Sequence, residues 1–406
     1  LSWFYVASCS LFIFATIPFA RTLQQIVQDN WGRTTFSYVV ITMVVSAAVT
    51  AVVYLVRQPH TTRRSYVWLA VVSLIFIGYT IKLSAIPEEA LHFVEYAFLS
   101  VLIYRALIHQ IRDVSIYFTA SVIGAIVGML DEAIQWATPR RVWGLDDIWL
   151  DFFAVALTQL AIARGLRPST ITGKPGSQNI KRFCVITALA AILLAASLLN
   201  TPARIAWYAE RLPLLRFLVD NESVMFEYGH YYEDPEIGHF RSRFSPEELR
   251  RTDETRASEA AAILNRYRSD STYSQFLKTY TPATDPFLHE ARVHLFRRDR
   301  YFQQAKKESE ASDAFQNDIV VAHRENLIME KYFPNTLKRS NFALSAEDLT
   351  YLEKNNDATI DYGSGVSWDL VTSTNEGDIK LGLVAALLAL GFTYTYFSKK
   401  IDTGSR

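Results

Sequence analysis

The chain has 406 residues, half of them hydrophobic and 13% aromatic, with 41 basic and 41 acidic side chains that cancel to a formal charge of zero. That length accommodates two or three domains, and the balanced charge removes the global basic field that nucleic-acid binding needs. The two cysteines, Cys9 and Cys184, lie inside apolar runs and form neither a C-x-x-C pair, a haem-attachment motif nor a disulfide framework.

In chain order, apolar runs of 17 or more residues predict eight transmembrane helices, at about 1–19, 38–56, 66–83, 89–107, 115–135, 147–163, 182–199 and 380–397. Each must be helical, because lipid offers the backbone no water to bond. The chain opens on Leu1 rather than Met, which leaves open whether the native N-terminus is missing, and no A-x-A-like cleavage site follows the first run. Short loops set the direction. Arg57, Arg63, Arg64, Arg105, Arg112, Arg164, Arg167, Lys174, Lys181, Arg182, Lys399, Lys400 and Arg406 fall on one side, and only Arg21, Arg33, Lys82, Arg140 and Arg141 on the other. The richer side is read as cytoplasmic, which puts both termini in the cytosol and the segment 200–379 outside.

That segment is predicted to be a mainly helical, mildly acidic extracytoplasmic domain. Helices are expected near 246–268, 286–311, 317–332 and 346–355. "SPEELRR" places Ser245 as N-cap with Pro246 at the first helical position, and "SAEDL" repeats the device with Ser345 and Asp348. "DYGSGVSWDLVTSTNEGD" reads as turns or a short hairpin, and "FEYGHYYEDPEIGHF" as a packing edge or a docking strip. His230, His239, His289 and His294 read as surface histidines, since helix faces that hold metals want spacings of three or four. The runs "RRDR" and "KKE" at 297–308 read as solvated helix faces. The stretch 166–181 reads as a cytoplasmic linker.

The unusual residues of the spans share one level. Glu88, His92, Glu95 and Leu99 line one helix face, as do Gly124, Gly128, Asp131 and Gln135, with Glu132 beside them, and Asp147, Asp151, Ala154 and Thr158. With the topology above, all three faces meet at the outer membrane boundary, near Arg140 and Arg141. Two readings stand. In the first the cluster is an ion-paired clasp, with Asp147 and Asp151 favoured by the helix dipole and Gly124 and Gly128 serving helix contact. In the second, ionisable groups inside spans, each costing about 2.5–3.5 kcal/mol on insertion scales, mark a ligand site. His92, Glu95, Asp131, Glu132, Gln135, Arg140, Arg141, Asp147 and Asp151 would then form it. The oxygen-rich set suits Mg²⁺, Mn²⁺ or Ca²⁺ better than Zn²⁺, and the arginines suit a phosphate or carboxylate. No GxSxG, HExxH or Walker motif signals a reaction.

"HFVEYAFL" followed by "GMLDEAIQWATPRRVWGLDDIWLDFFA" resembles the VanZ-like family of bacterial membrane proteins over about residues 66–165. The family's H-F-x-E-Y opening, D-E-x-x-Q, proline–arginine turn and paired acidic positions fall here on His92, Glu95, Tyr96, Asp131, Glu132, Gln135, Pro139, Arg140 or Arg141, Asp147 and Asp151. The family's usual glycine three residues after the second acidic position is Ala154 here. The resemblance implies a bacterial cytoplasmic-membrane protein with no established reaction and, through the founding member, glycopeptide resistance.

The expected organisation is therefore two N-terminal spans (1–65), a VanZ-like four-helix core (66–165), the linker, a seventh span (182–199), the outer domain (200–379) and a last span with its tail (380–406). The favoured role is an accessory subunit that anchors the outer domain to a larger membrane complex or envelope component, with membrane lipids as neighbours and no nucleic acid. The alternative is an envelope enzyme or lipid-linked-precursor binder working through the polar cluster.

Overall fold

The computed structural model describes residues 1–32, 34–58, 62–83, 87–138, 141–220 and 224–404. Arg33, Pro139, Arg140 and Arg406 lie outside them, as do the side chains of Arg21 and Glu88. The chain divides into two compact units, Leu1–Ser197 with Lys380–Arg406, and Leu198–Ile379. Among the described residues seven helices are long and apolar enough to cross a membrane, so the chain is a multi-pass α-helical membrane protein.

The first unit begins with α1 (Ser2–Thr16) and α2 (Ala20–Trp31). The eighth span expected at 1–19 is here only 15 residues long, about 22 Å at the helical rise, short of the ~30 Å hydrocarbon core. Pro18, which has no N–H to donate, follows it. The amphipathic α2 falls where the sequence predicts a loop. Then come α3 (Thr34–Val56), α4 (Arg63–Leu83), α5 (Pro87–Leu107), α6 (Ser115–Trp136), α7 (Leu145–Leu160) with a π-helical turn at Ala161–Leu166, and α8 (Ser177–Leu198). α8 starts inside the stretch read as linker.

The core runs along α5, where Phe93, Tyr96, Leu99 and Ile103 are fully buried against Ile116 and Ala120 of α6 and Ala154 and Val155 of α7. Two glycines set the α6–α7 distance. A Cβ on Gly124 would stand 2.6 Å from Val155 Cγ2, and one on Gly128 would stand 2.9 Å from Asp151 Oδ2. The small-residue face is thus a helix contact. Deeper in the bundle Gln159 Nε2 donates to Ser100 Oγ at 2.8 Å, and Ser100 Oγ donates to the Val155 carbonyl at 3.0 Å. This satisfies polar groups that lipid would leave unpaired.

Asp113, in the loop between α5 and α6, ties a knot at the other end of these helices. Its Oδ1 accepts from Ser115 N and Ser115 Oγ, and its Oδ2 accepts from Gly176 N at 2.9 Å and Asn179 Nδ2 at 2.8 Å. The segment between α7 and α8 is thereby pinned to the α5–α6 loop.

The second unit opens with α9 (Pro202–Arg211) and a 3₁₀ helix (Pro213–Asp220). A hairpin of β1 (His230–Asp234) and β2 (Gly238–Ser242) follows, then α10 (Pro246–Arg266), α11 (Asp270–Thr279), α12 (Pro286–Ala305), α13 (Asp313–Tyr332), α14 (Pro334–Arg339) and α15 (Ala346–Asn355). The chain leaves through α16 (Glu376–Gly404). Both caps form as the sequence predicts: Glu248 N–H donates to Ser245 Oγ while Ser245 N–H donates to the Glu248 carboxylate, and Asp348 N–H donates to Ser345 Oγ.

The hairpin arises from "HYYEDPEIGHFRS", not from the polar stretch after α15. Gly238, at φ +96°, makes the turn, a backbone region that side chains avoid. Residues 361–378 instead lay Gly363 and Val371 alongside His239 and Tyr228 as single parallel bridges. Alternation then sorts the strip: Tyr232 and Phe240 are buried and stack at 4.6 Å, whereas Tyr231 is half exposed.

Candidate functional site

The first turns of α5, the last turns of α6 and the first turns of α7 hold every described residue of the predicted cluster except Arg141, which lies in the loop between α6 and α7. His92 Nδ1 lies 3.7 Å from Glu95 Oε2 and 3.9 Å from Asp131 Oδ2. Gln135 Nε2 donates to Asp131 Oδ2 at 3.2 Å and to Glu132 Oε1 at 2.6 Å. Glu132 Oε2 accepts from Gly144 N at 2.8 Å, which binds the end of α6 to the start of α7. Asp131, Glu132 and Asp151 are buried to within 3% of full burial, while His92 and Glu95 keep about a fifth of their side-chain surface. Asp147 and Asp151 share the electrostatic environment of Asp131 and Glu132.

Arg141 is near enough to act on His92, Asp131, Glu132 and Asp147. Among the described residues it makes no direct ion pair with any of them, and its Nε is buried without a partner. Asp131 Oδ1 is likewise buried without a partner. Tyr96, which the sequence reading leaves out of the site, faces both Asp131 and Asp151, yet its hydroxyl closes no well-formed hydrogen bond. Its helical spacing from His92 carries that signal: residues four apart share a face. A buried polar atom left unmade costs about 1–3 kcal/mol, so the cluster holds both an unmet donor and an unmet acceptor.

Among the described residues no three His, Cys, Asp or Glu side chains form a group that would hold a metal ion. The carboxylates are spread along three helices and partly committed to Gln135 and Gly144. A cavity of about 310 Å³ lies on the opposite face of α5, lined by Val44, Leu69, Phe76, Val94, Thr158 and Ile162. It is apolar and takes in none of the cluster.

The second unit carries a different polar centre, one that the sequence reading places on the surface. His294 and Glu325 are fully buried, with Nδ1 2.6 Å from Oε2. Glu325 Oε1 accepts from Tyr362 Oη at 2.6 Å and Ser364 Oγ at 2.7 Å, and Arg297 Nε lies 3.0 Å away. Burial pushes the Glu325 carboxyl up, but His294, Tyr362 and Ser364 outweigh it and hold it below its usual range. Arg298, expected on a solvated face, is buried and donates to the Phe342 carbonyl at 2.7 Å and to Asn326 Oδ1 at 3.2 Å. A third group joins Arg243 to Glu227 through Nε at 2.8 Å and Nη2 at 3.2 Å, and Arg243 N–H donates to Glu290 at 3.0 Å. Beside it, burial pushes the His289 imidazole down to about 3, with Arg243 adding to the effect. The Arg298 face and His294 escape sequence reading because α12 buries two faces, against α13 and against α10, so its charged residues cannot all be solvated.

No family model matches this chain, and neither a curated protein nor a solved structure is similar to it.

Proposed function

We propose that this is a VanZ-like protein of the bacterial cytoplasmic membrane that binds the polar head of a lipid or lipid-linked precursor in the His92–Glu95–Asp131–Arg141 cluster. The observation that carries the reading is the coexistence of an unmet buried acceptor, Asp131 Oδ1, with an unmet buried donor, Arg141 Nε. A head group carrying both a phosphate and hydroxyl or ammonium donors answers both. Arginine takes the phosphate as a planar donor, and the donors go to Asp131 and Glu95. The absence of any Arg141–carboxylate pair among the described residues counts against a self-satisfied clasp. With the loop charges read as cytoplasmic, the cluster faces the cell envelope, together with residues 200–379.

Native mass spectrometry of the protein extracted from its own membranes tests this. Wild-type protein is expected to carry a phosphate-containing lipid, and Asp131→Asn and Arg141→Ala to lose it while remaining folded and inserted. Lipid-free wild-type protein, or equal loss of folded protein in both variants, would return the cluster to a structural role.

A second reading, an accessory subunit that presents the 200–379 domain to a membrane complex, has its own support. On the hairpin Tyr231 stacks on His239, and Arg241 lies over the exposed Trp368 ring at 5.1 Å, an aromatic and arginine composition typical of interface cores. Stoichiometric co-purification with a large complex, abolished by Trp368→Ala, would favour it.

A further inference from the structure

Seven large apolar side chains of the second unit stand exposed among its described residues, and four of them, Trp207, Leu212, Leu214 and Phe217, fall within eleven residues of one another. Leu214 is 87% exposed. A soluble domain does not gather its exposed apolar surface this way without a use for it. Trp207 belongs to α9, Leu214 and Phe217 to the 3₁₀ helix, and Leu212 is the residue that joins the two. Ile205, Ala209 and Leu218 are buried in the unit's own packing, so the exposed four form the other side of an amphipathic segment. Arg211 covers the Trp207 ring at 4.6 Å, and Arg216 is exposed between Leu214 and Phe217.

Chain connectivity keeps this segment close to the ends of two membrane helices. Only Leu199, Asn200 and Thr201 separate the end of membrane helix α8 from α9. Tyr208 Oη donates to Asn200 Oδ1 at 3.2 Å, and Arg204 donates to the Leu199 carbonyl at 2.5 Å. Arg204 also pairs with Glu376, the first residue of membrane helix α16. α9 is therefore fastened both where the chain leaves the membrane and where it re-enters. The far end of the 3₁₀ helix is held by Thr281 Oγ1, which donates to the Val219 carbonyl at 2.7 Å.

We propose that residues 202–220 lie in the plane of the membrane interface. Trp207, Leu212, Leu214 and Phe217 sit at the boundary between head groups and acyl chains, and Arg211 and Arg216 sit among lipid phosphates. An apolar face flanked by arginines and a tryptophan is the composition that binds there, at a depth of roughly 5–10 Å. The partner is the lipid surface itself, whichever side of the membrane the domain occupies, and the inference does not depend on the head-group site.

The test is nitroxide labelling of Leu214→Cys in a Cys9→Ala, Cys184→Ala background, in liposomes of phosphatidylcholine with one-quarter phosphatidylglycerol. Collision with oxygen and with a water-soluble nickel chelate is compared with labels at Leu388→Cys on α16 and Glu353→Cys on α15. Position 214 is expected to match 388, open to oxygen and shielded from nickel. A label open to nickel, like 353, would overturn the proposal, and so would one closed to both, which means that protein covers the face. With the native cysteines in place, dibrominated lipid should quench wild-type fluorescence more than that of Trp207→Phe. Equal fractional quenching would overturn the proposal independently.

Discussion

Two histidines of this chain face carboxylates, and the two surroundings differ in one respect. Around His294 the carboxylate of Glu325 is filled: Tyr362, Ser364 and Arg297 crowd one oxygen and the imidazole takes the other at 2.6 Å. Around His92 the contacts are long, 3.7 and 3.9 Å, and the same cluster leaves Asp131 Oδ1 and Arg141 Nε unmet. A completed network stiffens a core, and removing one member exposes a buried charge. An incomplete one, in a membrane where each ionisable group is costly, is spare capacity for something that arrives from outside. Burial and residue type alone would have ranked the two sites equal. The carboxylates separate them: both oxygens of Glu325 are taken and one of Asp131 is not, although His294 Nε2 and Arg297 Nε also lack hydrogen-bond partners.

The sharpest way to break that contrast is to delete one carboxylate from each. Glu325→Ala should destabilise the second unit by about 3–5 kcal/mol, the usual result of breaking a buried pair. Asp131→Asn should change the stability of the bundle by less than ~1 kcal/mol in lipid-free detergent. Chemical denaturation followed separately in the two units checks both, and comparable losses would erase the distinction. Next in size are the hydroxyls. Tyr362→Phe removes a short bond to a charged acceptor and should cost about 1.5–3 kcal/mol, whereas Tyr96→Phe removes only a poorly formed contact with Asp131 and Asp151 and should cost less.

Most gradual is a pH effect in the second unit. The folded His289 is held down to about 3, against an ordinary value of 6.5. Between those values the unfolded chain binds a proton that the folded one refuses, so stability falls as pH falls, by up to about 1.4 kcal/mol per pH unit from this group. The contribution is intact above 6.5. His289→Gln should flatten that part of the curve, and an unchanged slope would refute the assignment.

Much of the bundle was legible because lipid leaves few alternatives. Spans near α3 to α8 and α16 follow from length and hydropathy, and the convergence of His92, Asp131 and Asp151 follows from helical spacing. α1 is shorter than the apolar run 1–19 because composition registers apolar residues and not the interruption at Pro18. The second unit was harder to read. Its caps at Ser245 and Ser345 are local and were visible. The burial of His294 and Arg298 depends on Glu325 and Phe342, whose partnership no local spacing encodes. The hairpin was misplaced because glycine and serine richness around 361–378 signals turns as strongly as Gly238 does, and only pairing with a neighbour decides between them.

The Asp113 knot bears on how the protein is made. Its donors, Gly176 and Asn179, are translated more than sixty residues after Asp113, once α6 and α7 have both been threaded into the bilayer. If either failed to cross, the two halves would be stranded about 30 Å apart on opposite leaflets. The knot can therefore close only after an even number of passages through the bilayer between Asp113 and Gly176.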